Sequence, residues 1–479
     1  MDILSDVRAA FDEKHLPDGD TYYSTVIPEC REIYGGAPPW KRVKKSGLYS
    51  SGEREMNGLN MAKILCDEMS TLTFTEQTVI TVSDERLQEF IDGVLSDNGF
   101  YKNLPAWLSH AYALGGGVLK VFLADNKISV DYLSADCFYP VEYNSRQITG
   151  GVFEASHIKG RDYYTLLERY GMIGGNAEIE HKLFRSSTRG TLGSEVPLSE
   201  LYDTEIPDRF TYEGVNTPLF AYFKPAAANN LDILSCLGMP IFAGCFDTLK
   251  ALDIAFDSFC REFVLGRKRI IVPSNCIRTV VDPETGETKR YFDADDEVYQ
   301  AMKCDEEKDL HIADNTMTLR IGEHVAGINA LLNILCCQTG LSAGTFDFNS
   351  SGGVKTATEI ISENSKTFRT AKSNKNMLSE TLEQLVRSII SLGQYYELCP
   401  AVDDYDVTVA FNDNIIEDDN TIIDNNIKLV SSGLRSKLKA IMEINKCDEK
   451  TAGEELARIN KEYGSIGGEG DNFDPTAGE

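Results

Sequence analysis

The chain has 479 residues, with 75 acidic against 47 basic side chains, a net charge of −28 and 42% apolar content. That charge argues against a protein that grips nucleic acid over its general surface, because phosphate binding needs clustered cations. No apolar run of about 18 residues reaches the length that spans a bilayer, and twelve cysteines without a C-x-x-C pair, beside six scattered histidines, leave no zinc pattern.

The first twenty residues are acidic and amphipathic, unlike a signal peptide, so the chain is expected to stay where it is made. Residues 1–75 carry helical spacing, broken by a loop over "YGGAPPWKRVKKSGLYSSGERE" whose basic cluster is Lys41, Arg42, Lys44 and Lys45. Two short helices follow at 87–94 and 104–114. After "LGGG", apolar and polar residues alternate to about Lys224, with turns at Asp125-Asn126 and near Gly150-Gly151. This predicts an antiparallel sheet. Glycines 115–117 lack dinucleotide-loop spacing and lead into a strand.

From 241 to 264 the residues Phe242, Phe246, Leu249, Leu252, Phe256, Phe259 and Phe263 recur at helical steps and make one apolar stripe. Asp247, Lys250, Asp253, Asp257, Arg261 and Glu262 interrupt the other face, where water or a charged partner is expected. Gly266 closes this helix. Short strands are predicted at 270–272, 278–281 and 288–292, the last two joined by the turn "DPETGE". A second helix follows, with Val325, Ile328, Leu331, Leu332 and Leu335 on one side. Several of the cysteines, among them Cys245, Cys260 and Cys336, fall on apolar helix faces and read as free buried thiols in a reducing compartment.

The stretch "GTFDFNSSGGVKTATE", residues 344–359, comes close to a phosphate-binding loop. Val354 stands where that loop needs glycine before Lys355, and the segment before it has helical, not strand, spacing. An exposed, flexible helix–loop–helix connection remains, tipped by Thr345, Phe346, Asp347, Phe348 and Asn349. The following helix, 354–397, has capping-box spacing at Thr356 and Glu359. Its middle, "SENSKTFRTAKSNKN", is polar, which suggests that it crosses between parts instead of lying inside one globule. A short strand, "DVTVAF", and small helices over 421–463 follow. Residues 464–479 form a Gly-rich acidic tail expected to be disordered.

Three segments, "GMPIFAGCFDTLKALDIAFDSFCREFVLGRKRIIVP", "GLSAGTFDFNSSGGVKTATEIISENSKTFRTAKSNKNMLSETLEQLVRSI" and "KLVSSGLRSKLKAIMEI", together with the order of parts, resemble the portal (head-to-tail connector) proteins of tailed bacteriophages, particularly long-tailed phages of Gram-positive hosts. The resemblance covers nearly the whole chain. It implies an α+β, ring-forming portal fold with an outer wing (1–235), stem helices (240–266 and 322–341), a small αβ clip (267–321) and a tunnel loop (342–353). A long wing/crown helix (354–397) and a helical crown (398–463) complete it.

The resemblance further implies a homo-oligomeric ring, usually a dodecamer, at one capsid vertex of the virion, assembled in the host cytoplasm. Double-stranded DNA passes through it without sequence readout during packaging and ejection, and terminase, the major capsid protein, scaffolding protein and the head–tail adaptor dock on it. On this basis Thr345 to Asn349 line the channel, and Phe242 to Phe263 of the stripe pack the stem or a neighbouring copy. Arg267, Lys268, Arg269, Lys355, Lys366, Arg369, Lys372 and Lys375 are candidate phosphate contacts. Asp247, Asp253 and Asp257 would face the bore or the adjacent stem. Catalysis, metal, cofactor and membrane are not expected. The alternatives are another head-completion or adaptor protein without a through-channel and, from the near-motif alone, a nucleotide-dependent enzyme.

Overall fold

The computed structural model describes residues 7, 10–11, 25–46, 51–75, 78–144, 147–202, 206–230, 235–266, 270–271, 278–281, 288–291, 313–314, 318–348, 363–402, 404–411, 419–445 and 449–466. Two compact units are present. One comprises 1–350 with 365–410, the other 351–364 with 411–479. Both belong to a mixed α+β chain.

The first unit opens on α1 (Ile27–Tyr34), which Pro28 starts at a position where its missing N–H costs nothing. Next comes an antiparallel hairpin of β1 (Arg42–Ser46) and β2 (Ser51–Glu55), in the segment expected to be a loop. Arg42 stands opposite Glu55 and Lys44 opposite Glu53, so two of the four basic residues face opposite charge across the strands.

Three helices, α2 (Met61–Thr73), α3 (Glu85–Asp97) and α4 (Phe100–Leu114), follow, with β3 (Thr78–Val82) between the first two. Asp84 caps α3 by accepting from the Arg86 and Leu87 amides at 3.0 and 3.2 Å. Polar contacts tie α2 to α4: Ser109 Oγ donates to Asp67 at 2.6 Å, and Thr73 Oγ1 lies 2.7 Å from Tyr112 OH.

The expected antiparallel region is two sheets. β4 (Gly117–Ala124), β5 (Lys127–Ser134) and β12 (Phe220–Phe223) form one, in the order β12-β4-β5. Asp125 and Asn126 turn the β4–β5 hairpin with φ of 48° and 60°, the left-handed pair that a two-residue hairpin loop requires. The other sheet runs β10-β9-β8-β7-β6, with β11 (Arg209–Tyr212) also on β9. Its members are β6 (Phe138–Tyr143), β7 (Ile148–Lys159), β8 (Asp162–Ile173), β9 (Asn176–Ser186) and β10 (Ser194–Val196).

Gly150 and Gly151 lie inside β7 and do not form the expected turn. Gly151 faces the Phe138 ring, and a Cβ there would come within 2.3 Å of it. Phe138, Phe153 and Phe220 are fully buried, with ring centroids 4.9 to 5.7 Å apart, and join the two sheets in one aromatic core.

Across the same junction Lys120 of β4 reaches Glu168 of β8 at 2.7 Å, and His181 Nε2 lies 3.5 Å from the other Glu168 oxygen. Burial alone would raise the Glu168 pKa. The His181 hydrogen bond and the Lys120 charge outweigh it and hold the carboxyl at about 2.

An antiparallel helix pair follows, α5 (Phe246–Leu265) and α6 (Ile321–Thr339). α5 starts four to six residues later than periodicity suggests, because a 3₁₀ turn at Ala243–Cys245 precedes it. Between them β14 (Arg278–Val281) pairs with β15 (Thr288–Tyr291), and β13 (Ile270–Ile271) with β16 (Ala313–Asp314).

The long helix α7 (Ser365–Tyr395) packs on β4, β5 and β12; residues 354–362, with the capping-box pair, lie outside the described residues. Its polar middle is mixed: Arg369, Lys372 and Ser373 are exposed, whereas Thr367, Asn374 and Lys375 are buried within this unit, where the polarity suggested a helix lying outside one globule. The Ala226 amide donates to Asn374 Oδ1 at 3.0 Å, Thr381 Oγ1 donates to Tyr222 O at 3.3 Å, and Ser388 Oγ to Pro218 O at 2.7 Å. These side chains satisfy backbone groups of the loop residues Pro218 and Ala226 and of Tyr222 on the β12 edge strand. β17 (Val407–Phe411) pairs with β3.

The second unit carries α8 (Asp419–Ser431), α9 (Lys437–Asn445) and α10 (Glu449–Ile466). Ala440 and Ala452 are buried, Arg435 pairs with Glu443 and donates to Asn426 at 2.9 Å, and Ile427 and Leu434 are exposed.

Candidate functional site

Burial along the α5 stripe falls from one end to the other. Phe242 and Leu252 are fully buried and Leu249 is nearly so; Phe246, Phe256 and Phe259 are half-buried, and Phe263 is 44% exposed. Val264 and Leu265 are open as well, and so are Ile321 and Ile334 on α6. The stripe is therefore buried toward the start of α5 and exposed toward its end, while Ile254 midway and Ile334 near the other end of α6 are exposed as well.

Side chains fasten the α5–α6 pair at both ends. Thr248 donates to Gln338 at 2.9 Å. At the tip Arg320 donates to both Glu262 oxygens at 3.1 and 2.9 Å, His324 lies 3.7 Å from Glu262, and its ring meets Phe259 edge-on. The Arg320 hydrogen bonds hold the Glu262 carboxyl at about 2. Arg320→Ala is expected to speed amide exchange across the last turn of α5 while leaving the melting temperature of the chain nearly unchanged. Hydrogen-exchange mass spectrometry checks it.

The α5 carboxylates are not disposed as expected. Asp257 is 4% exposed and receives both Arg54 nitrogens at 2.9 and 2.6 Å, plus the Asn57 amide at 3.2 Å. Asp253 receives Trp40 Nε1 at 2.9 Å and the Leu59 amide at 3.0 Å. Both are therefore turned toward residues 40–59 of their own chain; Asp247 alone of the three is exposed. The Arg54 hydrogen bond is the main reason that the Asp257 carboxyl lies below its ordinary range. Periodicity reports which residues share a face, not what that face meets.

The loop after α6 starts from a left-handed Gly340, φ 83°. Residues of α7 take the carbonyls at this helix end: Lys366 donates to Cys337 O and Thr370 to Gly340 O, both at 2.7 Å. Ser342 and Thr367 exchange bonds of 2.8 and 3.3 Å. Beyond them the loop folds back along α6, with the Gly344 amide on Asn333 Oδ1 at 2.8 Å and the Phe348 amide on Asn329 Oδ1 at 3.2 Å. The expected free loop is thus pinned over its described part. Thr345 and Phe346 are half-buried, Asp347 is exposed and Phe348 is 51% exposed. Asn349 lies outside the described residues.

The four α7 cations do not form one face. Steps of three residues drift by about 60° each around a helix, so Arg369 and Lys372 are exposed, Lys366 is spent on Cys337 O, and Lys375 is buried. Arg267, Lys268, Arg269 and Lys355 lie outside the described residues. Sequence reasoning missed Trp40, Arg54, Asn329, Asn333 and Arg320. Their partners are apart in the chain, and no local spacing marks them.

The nine described cysteines are free, and burial pushes the Cys30 thiol up to about 12 and Cys245 to about 11. Such thiols are inert. Among the described residues no group of three or more His, Cys, Asp or Glu could hold a metal ion, and no helix is long and apolar enough to cross a membrane.

A comparison with curated proteins finds no match. Among solved structures, the chain is similar to one in the virion of a native gene transfer agent particle, at 10% identity and a TM-score of 0.40, covering 80% of this chain and 88% of that one. The family model of phage portal proteins, SPP1 Gp6-like, matches residues 51–467. By that match the chain belongs to the phage portal protein family.

Proposed function

We propose that this chain is the repeating subunit of a ring at one vertex of a phage head, through which double-stranded DNA enters and leaves. The observation that carries this is the family match over residues 51–467. The helix pair supports it. A single chain leaves Ile254, Phe263, Val264, Leu265, Ile321 and Ile334 in water, an apolar area that a neighbouring copy would cover. A closed ring is built from heterologous contacts, so each subunit needs two different faces.

On this reading 1–235 is the wing, α5 and α6 are the stem, 267–321 is the clip, 342–353 the tunnel loop, and α7 with 398–463 the wing/crown helix and crown. Thr345 to Phe348 would stand nearest the DNA. Arg369 and Lys372 keep a phosphate-contacting role open, and such contacts carry no sequence readout. The acidic remainder repels the polyanion and so lowers sliding friction. Terminase, capsid and adaptor proteins would dock on this platform, which performs no chemistry of its own.

Negative-stain imaging and light scattering of the purified full chain test the proposal. Closed rings with an axial hole are expected. Monomers at every concentration, even when co-produced with capsid and scaffolding proteins, would reject the ring; solid assemblies without a hole would favour a head-completion protein.

A further inference from the structure

The face of β7 that carries Glu154 is only partly covered. Alternation along the strand puts Glu154, Ser156 and Ile158 on that face. The register sets Ser156 opposite Thr165 and Ile158 opposite Tyr163 on β8. Tyr139, Val152, Leu167 and Phe184 form an apolar cluster beside them. A cavity of about 300 Å³ stays open next to that cluster, floored by Glu154, Ser156, Ile158, Tyr163 and Thr165 and roofed by Arg189, Thr191 and Leu192.

The roof is held in place by its own bonds. Thr191 Oγ1 donates to Thr188 O at 2.9 Å, the Thr188 amide donates to Ser186 Oγ at 3.1 Å, and Leu192 packs on the apolar cluster. Gly190 and Gly193 have left-handed backbones with φ of 78° and 80°. A Cβ on Gly193 would come within 2.1 Å of Arg185 O, so the close approach needs glycine there.

Two opposite charges line this cavity without pairing with each other. Glu154 is half-buried; its Oε2 accepts from Tyr139 OH at 2.8 Å, and among the described residues no cation pairs with it. Burial raises its carboxyl pKa, and only the Tyr139 bond opposes the rise. Arg189 is exposed, and among the described residues it makes neither an ion pair nor a hydrogen bond. A desolvated carboxylate without a counter-charge at a cavity wall is completed by a cation. The guanidinium in the roof suits a carboxylate.

We propose that the cavity binds a small aliphatic zwitterion, an ω-amino carboxylate, with its ammonium on Glu154 and its carboxylate on Arg189. The Ser156 and Thr165 hydroxyls accept further ammonium hydrogens, since an ammonium has three to place. The methylene stem lies along Tyr163, Leu192 and Ile158, the last of which is otherwise 70% exposed. The site belongs to one sheet of one chain and does not depend on the ring.

The test titrates the purified full chain with δ-aminovalerate, n-pentylamine and valerate by isothermal titration calorimetry. δ-Aminovalerate is expected to bind saturably and valerate not at all. Glu154→Gln keeps the Tyr139 partner and should weaken δ-aminovalerate at least about ten-fold, the scale of a lost charge-assisted hydrogen bond. Pentylamine should bind about two- to five-fold more weakly than δ-aminovalerate, because a pair made by an exposed arginine contributes little. Arg189→Ala should erase that difference.

No saturable binding of δ-aminovalerate would overturn the site, and so would binding that Glu154→Gln leaves unchanged. Valerate bound as tightly as δ-aminovalerate would overturn the role of Glu154. Equal affinity for δ-aminovalerate and pentylamine, unmoved by Arg189→Ala, would overturn the zwitterion in favour of a simple amine. Arg189→Ala alters an exposed turn residue, so it keeps the test decisive if Glu154→Gln fails to fold.

Discussion

Glu168→Gln is expected to destabilise the first unit by about 3–5 kcal/mol, the usual cost of leaving a buried charge without its counter-ion. Lys120 is 8% exposed, lies over the Phe122, Phe153 and Tyr170 rings, and among the described residues has the more distant Asp131, at 3.7 Å, as its second carboxylate. Removing both charges, as Lys120→Met with Glu168→Leu, should recover most of the loss, because the pair's own desolvation disappears with it.

The pH dependence fixes the sign. The folded Glu168 carboxyl sits at about 2, below its ordinary value near 4.5. Its stabilisation is therefore complete above about pH 5 and is lost as pH falls toward 2. The gap between wild type and Glu168→Gln should be widest at neutral pH and close in that acid window. Urea unfolding at pH 7, 4 and 3 measures it; a gap constant with pH would mean that the carboxylate's charge is not what stabilises the junction.

Phe138→Ala should cost about 3–5 kcal/mol, the range for emptying a buried aromatic site. The ring contacts Phe153, Phe220 and Tyr222 from both sheets, with centroids 4.9 to 5.7 Å away, so its loss opens the seam between them. Gly151→Val should be harmful by itself, since even a Cβ meets the Phe138 ring at 2.3 Å. Combined with Phe138→Ala, the valine occupies space the ring has left. The double variant should therefore be more stable than the sum of its parts predicts, and additivity in thermal melts would refute the contact.

Where apolar residues repeat at the period of their element, the structure was legible in advance. The α5 stripe and the alternation in β4 and β5 are such cases; the turn at Asp125-Asn126 was legible for another reason, since both residue types tolerate a left-handed backbone. The β1–β2 hairpin was not, because what alternates there is the sign of charge, Arg42 against Glu55 and Lys44 against Glu53, with no apolar rhythm. The α5 carboxylates misled for a related reason. Asp253 and Asp257 have the spacing of a solvated face, yet each is claimed by donors some 200 positions earlier in the chain.

The same blindness hid the function of the α7 polar middle and of Asn329 and Asn333. A side-chain amide directed at a loop's backbone looks, in one dimension, the same as one directed at water. Family resemblance succeeded where these local signals failed, since it draws on the order of parts over residues 51–467 and not on any one contact.

The polar seam of α7 has a consequence for how the chain comes off the ribosome. The carbonyls of Pro218, Tyr222 and Gly340 wait for hydroxyls at 388, 381 and 370, so the earlier segments are made well before the groups that complete them. Such long-range pairing is slow to form. A nascent chain halted before residue 365 should thus remain unfinished and prone to capture by chaperones, and the subunit should reach its native state only when that late rod docks.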